Sequence, residues 1–92
     1  MDTRKVIGWN LRRLRVAQGL SQERLALESG IDRSYVGRVE RGSENVTVAR
    51  LEQFAATLGV PVRELFDDPI GDNPPPALAA GRKPKQPRRP RE

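Results

Sequence analysis

Residues 22–42 read QERLALESGIDRSYVGRVERG, from Gln22 to Gly42, and this stretch decides the fold. Ser21 stands just before it as a helix N-cap, and Gly30 closes a predicted helix over Gln22–Ser29. Asp32 caps a second helix over Arg33–Arg41, closed by Gly42. Gly30 supplies the positive φ that ends the first helix sharply. Ala26 is small where the two helices would cross. Leu25, Ile31, Val36 and Val39 are apolar at the positions that would face neighbouring helices. Left outside on the second helix are Arg33, Ser34, Tyr35, Gly37, Arg38 and Arg41. Three guanidiniums, a hydroxyl and a phenol along one short helix suit a DNA groove, and the pair reads as a helix-turn-helix.

Working outward, the same punctuation continues in both directions. A first helix is predicted from Thr3 to Gln18, with Ile7, Leu11, Leu14 and Gln18 on one line and Gly19 as its stop. Residues 43–46 form a loop. Thr47 caps a fourth helix that runs to Leu58, with Val48, Leu51, Ala55 and Leu58 turned inward and Gly59 closing it. Pro61 opens a short fifth helix ending near Phe66. No strand pattern competes, so the expected fold class is all-α, a compact five-helix domain over residues 1–66. Trp9 lies opposite the inner line of the first helix, where neighbouring Arg stems would shield it in part.

Composition sets the outer limits. The chain has 92 residues, 17 Lys plus Arg against 12 Asp plus Glu, and neither Cys nor His. Disulfides, thiolate zinc sites, imidazole acid–base chemistry and Cys or His nucleophiles are thereby excluded. No apolar run approaches the ~18–20 residues of a membrane span, and the first residues lack a signal-peptide core. The expected location is therefore the cytoplasm. Charge is uneven: residues 1–66 carry +3, residues 67–81 carry −3, and residues 82–92 hold six bases and one acid for +5. Seven of the eight prolines follow Phe66. That density argues for an acidic Pro-rich linker over 67–81 and a basic disordered tail over 82–92.

The joined pattern carries a resemblance. Gly19-Leu20-Ser21-Gln22-Glu23 with Leu25-Ala26, then Gly30 to Val36, then Val39-Glu40-Arg41-Gly42 and Leu58-Gly59-Val60-Pro61, resembles the Xre or lambda-repressor-like DNA-binding family. The resemblance covers about residues 6–66. Asp32-Arg33-Ser34-Tyr35-Val36 with Asn45-Val46-Thr47 is similar to the controller proteins of restriction–modification systems, and to phage-type repressors. The long tail departs from those compact controllers.

The resemblance implies roles. Arg33, Ser34 and Arg38 would touch base edges, Arg33 foremost, because Arg can bond guanine O6 and N7 together. Gln22 at the start of its helix would anchor a phosphate, and Tyr35, Arg41, Ser43 and Asn45 would also meet the DNA backbone. Tyr35 suits a purely structural role nearly as well. Glu44 departs from the pattern, since an acid near phosphates costs affinity unless it points away. Arg15 and Glu40 would pair internally and brace the third helix against the first. Gly37, within a helix at a cost of ~1 kcal/mol against Ala, fits a close approach of DNA, tight packing, or a cost that is simply tolerated. In the tail, Arg82, Lys83, Lys85, Arg88, Arg89 and Arg91 could form a phosphate-binding arm.

The function expected from this is sequence-specific transcriptional regulation on double-stranded DNA, by a homodimer on a two-fold operator. Phe54, Leu65 and Phe66 are the candidate dimer surface. No nucleophile–base pair and no metal-ligand cluster is present, so neither an enzyme, a cofactor nor a metal is expected. Two alternatives stay open: an antitoxin of the same fold that binds a protein toxin and represses its own operon, and an adaptor that uses the fold without reading DNA.

Overall fold

A computed structural model describes residues 2–69. The linker beyond residue 69 and the basic tail of residues 82–92 lie outside the described residues. Four α-helices follow in order: α1 (Thr3–Ala17), α2 (Gln22–Ser29), α3 (Arg33–Arg41) and α4 (Val48–Leu58). The expected fifth helix is a 3-10 turn over Val62–Phe66. With Pro61 ahead of it and no side-chain cap, this five-residue segment does not grow into an α-helix.

Local chemistry sets the helix ends. Ser21 accepts from the Arg24 backbone N–H at 2.9 Å, Asp32 from that of Ser34 at 3.0 Å, and Thr47 from that of Arg50 at 3.1 Å. Asp2 caps α1 in the same way, accepting from the Lys5 N–H at 3.1 Å. Between α2 and α3 the chain reverses at Gly30, whose φ of 72° lies in the left-handed region. The next amide, Ile31, returns a hydrogen bond to the Ala26 carbonyl at 3.0 Å and closes the turn.

The core is drawn from every element: Ile7, Leu11 and Leu14 of α1, Leu25 and Ala26 of α2, Val36 and Val39 of α3, Leu51, Phe54, Ala55 and Leu58 of α4, with Ile31 and Leu65. Two sequence expectations are corrected here. Val48 is 70% exposed rather than inward, because it is the first residue of α4, flanked by exposed Thr47 and Ala49. Phe54 and Leu65 are fully buried and cannot form a dimer surface; only Phe66 of that trio is exposed. Phe54 also stacks on Tyr35, with ring centroids 6.4 Å apart.

Two α1 residues hold the bundle in ways the sequence pattern did not display. A Cβ built on Gly8 would lie 2.3 Å from the Val39 carbonyl oxygen and 2.8 Å from that of Glu40. The backbones of α1 and α3 therefore meet at a point where no side chain fits. Asn10 is fully buried, and its Nδ2 donates to the carbonyls of Val6 (3.0 Å), Leu65 (3.2 Å) and Asp67 (2.8 Å). Its Oδ1 accepts from Arg13 Nε at 3.1 Å, and Arg13 Nη2 reaches the Glu64 carbonyl at 3.3 Å. The 3-10 turn is thus tied to α1 through its carbonyls. The Arg13 guanidinium also covers Trp9 at 5.8 Å from the ring centroid, which supplies the shielding by an Arg side chain.

Candidate nucleic-acid interface

Helix α3 divides into two faces. Val36 and Val39 enter the core, while Arg33, Ser34, Arg38 and Arg41 are exposed. The exposed side chains border an open groove to which α2 contributes Gln22 and the cap residue Asp32 also belongs. Five of the eight residues expected to meet DNA therefore line one surface: Gln22, Arg33, Ser34, Arg38 and Arg41. Gly37 lines it too. A Cβ there would meet only Arg41 Nη1, at 3.2 Å, so the core does not demand glycine at this position.

The arginines of this face are held differently. Arg33 forms no ion pair among the described residues: Glu28 is engaged by Arg24 at 2.8 Å and Glu40 by Arg15. Its guanidinium is available to a ligand. Arg38 donates from Nε to Glu44 at 2.8 Å, and its Nη1 lies 3.4 Å from Ser34 Oγ. The Ser34 hydroxyl and backbone N–H both bond Asp32, holding that carboxyl below the usual aspartate range. Tyr35 is half-buried between two cations, Arg38 at 5.6 Å and Arg50 at 5.4 Å from its ring, with Phe54 beside it. Its ring thereby belongs to the support of α3 as well as to its edge.

Beneath the groove lies the brace. Arg15 Nε and Nη2 meet Glu40 Oε2 and Oε1 at 2.6 and 3.0 Å, a bidentate fork with both side chains covered. The remaining Arg15 Nη1 donates to the Leu20 carbonyl at 2.8 Å. Glu40 Oε1 accepts a further bond from Gln22 Nε2 at 3.0 Å. Gln22 is therefore positioned by the brace itself, and its amide retains a second N–H for an acceptor outside. The expected Arg15–Glu40 pair is present, and its extension to Gln22 is new.

In the loop after α3, Ser43 and Asn45 are exposed, and Ser43 Oγ donates to the Arg38 carbonyl at 3.2 Å. Neither lines the groove. Glu44, the awkward acid of that loop, turns back onto Arg38. The sequence carried a sign of this, since an acid six residues after an exposed arginine is a candidate partner once the helix ends between them.

Comparison with known proteins places this geometry. A hypothetical transcription factor from Neisseria meningitidis is 44% identical over 68 residues, which is 74% of this chain and 64% of that relative. The chain therefore matches less than two thirds of that relative's length. Among solved structures, the restriction–modification controller protein C.AhdI from Aeromonas hydrophila is 52% identical, with a TM-score of 0.67 over 68% of this chain and 96% of that one. The controller protein C.Esp1396I, solved as a tetramer in complex with its natural 35 base-pair operator, is 27% identical with a TM-score of 0.63, over 73% of this chain and 99% of that one. The model of the helix-turn-helix family HTH_3 matches residues 11–65, which hold α2, the turn and α3 together with most of the core that carries them. The chain belongs to the HTH_3 helix-turn-helix family.

Proposed function

We propose that this protein is a sequence-specific DNA-binding transcriptional regulator that lays α3 in the major groove and acts as a homodimer on a two-fold operator in the cytoplasm. The observation that carries the reading is the exposed row Arg33, Ser34, Arg38 and Arg41, on a helix whose inner side is fixed by the core and the Arg15–Glu40 fork. A rigid helix bearing several guanidiniums loses little ordering entropy on binding and matches the acceptor pattern of the major groove. The operator complex of the related controller supports the choice of DNA as ligand. Arg33, Ser34 and Arg38 take the base edges. Gln22, Tyr35, Arg41, Ser43 and Asn45 take phosphates. One helix reads only a few base pairs, and a second copy doubles the site.

Selection of binding sites from a pool of random duplexes tests this directly. Enrichment of a two-fold sequence is the expected result, and no enrichment overturns the reading. Within the enriched site, Arg33→Ala should cost ~1–3 kcal/mol and relax preference at one base pair. Gln22→Ala should weaken all sequences alike, because a phosphate contact carries no sequence information. Equal losses on specific and random DNA for Arg33→Ala would remove it from the base-reading set.

The basic segment of residues 82–92 is proposed as an accessory arm on phosphates, joined through the linker to the domain of residues 1–66. Its removal should lower specific and random binding together. It should also flatten the plot of log K against log salt by ~0.9 for each phosphate that the arm no longer neutralises. The preferred sequence should hardly change. Titration at several salt concentrations checks this, and an unaltered slope would take the arm out of DNA binding.

A further inference from the structure

We infer that Glu44 is a specificity-determining positioning residue, which holds the Arg38 guanidinium for a base edge and turns it away from phosphate. The inference rests on the DNA-binding reading above. Three observations meet at Arg38. Its Nε is 2.8 Å from Glu44 Oε1, its Nη1 is 3.4 Å from Ser34 Oγ, and its guanidinium carbon lies 5.6 Å from the centre of the Tyr35 ring. The Glu44 side chain is 25% exposed and that of Arg38 44%, so the carboxylate is partly covered while the guanidinium stays open to a ligand. Arg33 and Arg41, on the same face, form no ion pair among the described residues. Of the three arginines in the row, only Arg38 is paired with an acid among the described residues.

The chemistry follows from the donors left over. A guanidinium has five N–H groups, and engaging Nε leaves the terminal nitrogens to act together. Those are the groups that fork onto guanine O6 and N7. Pairing with Glu44 also cancels much of the charge through which Arg38 would attract a phosphate, while neutral base acceptors still gain a hydrogen bond. A side chain already ordered loses less freedom when it binds. Glu44 itself repels phosphates that approach the loop out of register, which lowers binding to the wrong sequence.

The test uses the full chain, the duplex enriched by the wild type, its single base-pair variants and a random-sequence duplex. With Glu44→Gln, discrimination at one G·C pair should fall at least about fivefold, the lower end of what a forked guanine contact is worth. Affinity for the random duplex should rise by about two- to fivefold. Glu44→Asp keeps the charge but withdraws the carboxylate, so discrimination should fall while random binding stays as in the wild type. In an Arg38→Ala background, Glu44→Gln should no longer affect that base pair. If Glu44→Gln shifts specific and random binding by one common factor, or keeps its effect at that pair without Arg38, the inference is overturned and the DNA-binding reading stands. A wild-type chain that enriches no sequence overturns the function, and this inference with it.

Discussion

Glu40→Ala should lower the stability of the domain by about 3–5 kcal/mol, because it leaves the covered Arg15 guanidinium without its counter-charge. Natural domains are stable by only ~5–15 kcal/mol, so the loss should appear as a large fall in melting temperature. DNA binding should weaken as well, at temperatures where the variant remains folded, since Gln22 loses the acceptor at 3.0 Å that positions its amide. The double variant Arg15→Leu with Glu40→Leu separates the two effects. Removing both charges together should restore much of the stability, because a buried ion pair contributes little beyond a well-packed apolar pair. It should not restore Gln22, so affinity for all sequences should stay low. Thermal melts and binding titrations on the three chains decide the matter. A Glu40→Ala chain that melts like the wild type and binds DNA more tightly would place Glu40 towards phosphate instead.

The second large effect contrasts two glycines within helices. Alanine normally stabilises a helix interior by about 1 kcal/mol over glycine. At Gly8 the sign should reverse. The new Cβ would stand 2.3 Å from a backbone carbonyl of α3, and neither helix can yield without disturbing the core between them. A net loss of about 3 kcal/mol is expected for Gly8→Ala. At Gly37 the nearest atom is the end of the Arg41 side chain at 3.2 Å, which can swing aside. Gly37→Ala should therefore gain up to about 1 kcal/mol in stability while altering affinity for DNA, since the methyl enters the groove. Equal and small changes in melting temperature for the two variants would contradict the close crossing at Gly8.

What could be read from the sequence divides along the same line. Ser21, Asp32 and Thr47 do cap helices, and Gly30 does reverse the chain, because these are short-range events settled within four residues. The exposed row on α3 was legible for a similar reason: helical periodicity separates Val36 and Val39 from Arg33 and Arg38 without knowledge of the neighbours. Gly8 and Asn10 were not legible. Their importance comes from partners 31 to 57 positions away, and nothing in their local sequence marks them. Phe54 was misplaced despite a usable signal, since it falls three residues after Leu51 and four before Leu58, on the buried side of α4. Val48 has the correct helical angle but stays exposed because the core reaches α4 only from Leu51 onward. Glu44 could be flagged as awkward but not explained until the loop was seen to fold back on Arg38.

The separation of the two faces of α3 has an engineering consequence. Val36, Val39 and Glu40 anchor the helix, and none of Arg33, Ser34, Arg38 or Arg41 enters the core. The outer face can therefore be rewritten as a unit while the scaffold is left untouched. A chain carrying another protein's recognition row at positions 33, 34, 38 and 41 should melt close to the parent. On the proposed reading of this row, address and chassis are independently inheritable, and new targets become reachable by a handful of substitutions without a stability crisis on the way. Position 44 would have to travel with the row, since its acid pairs with Arg38.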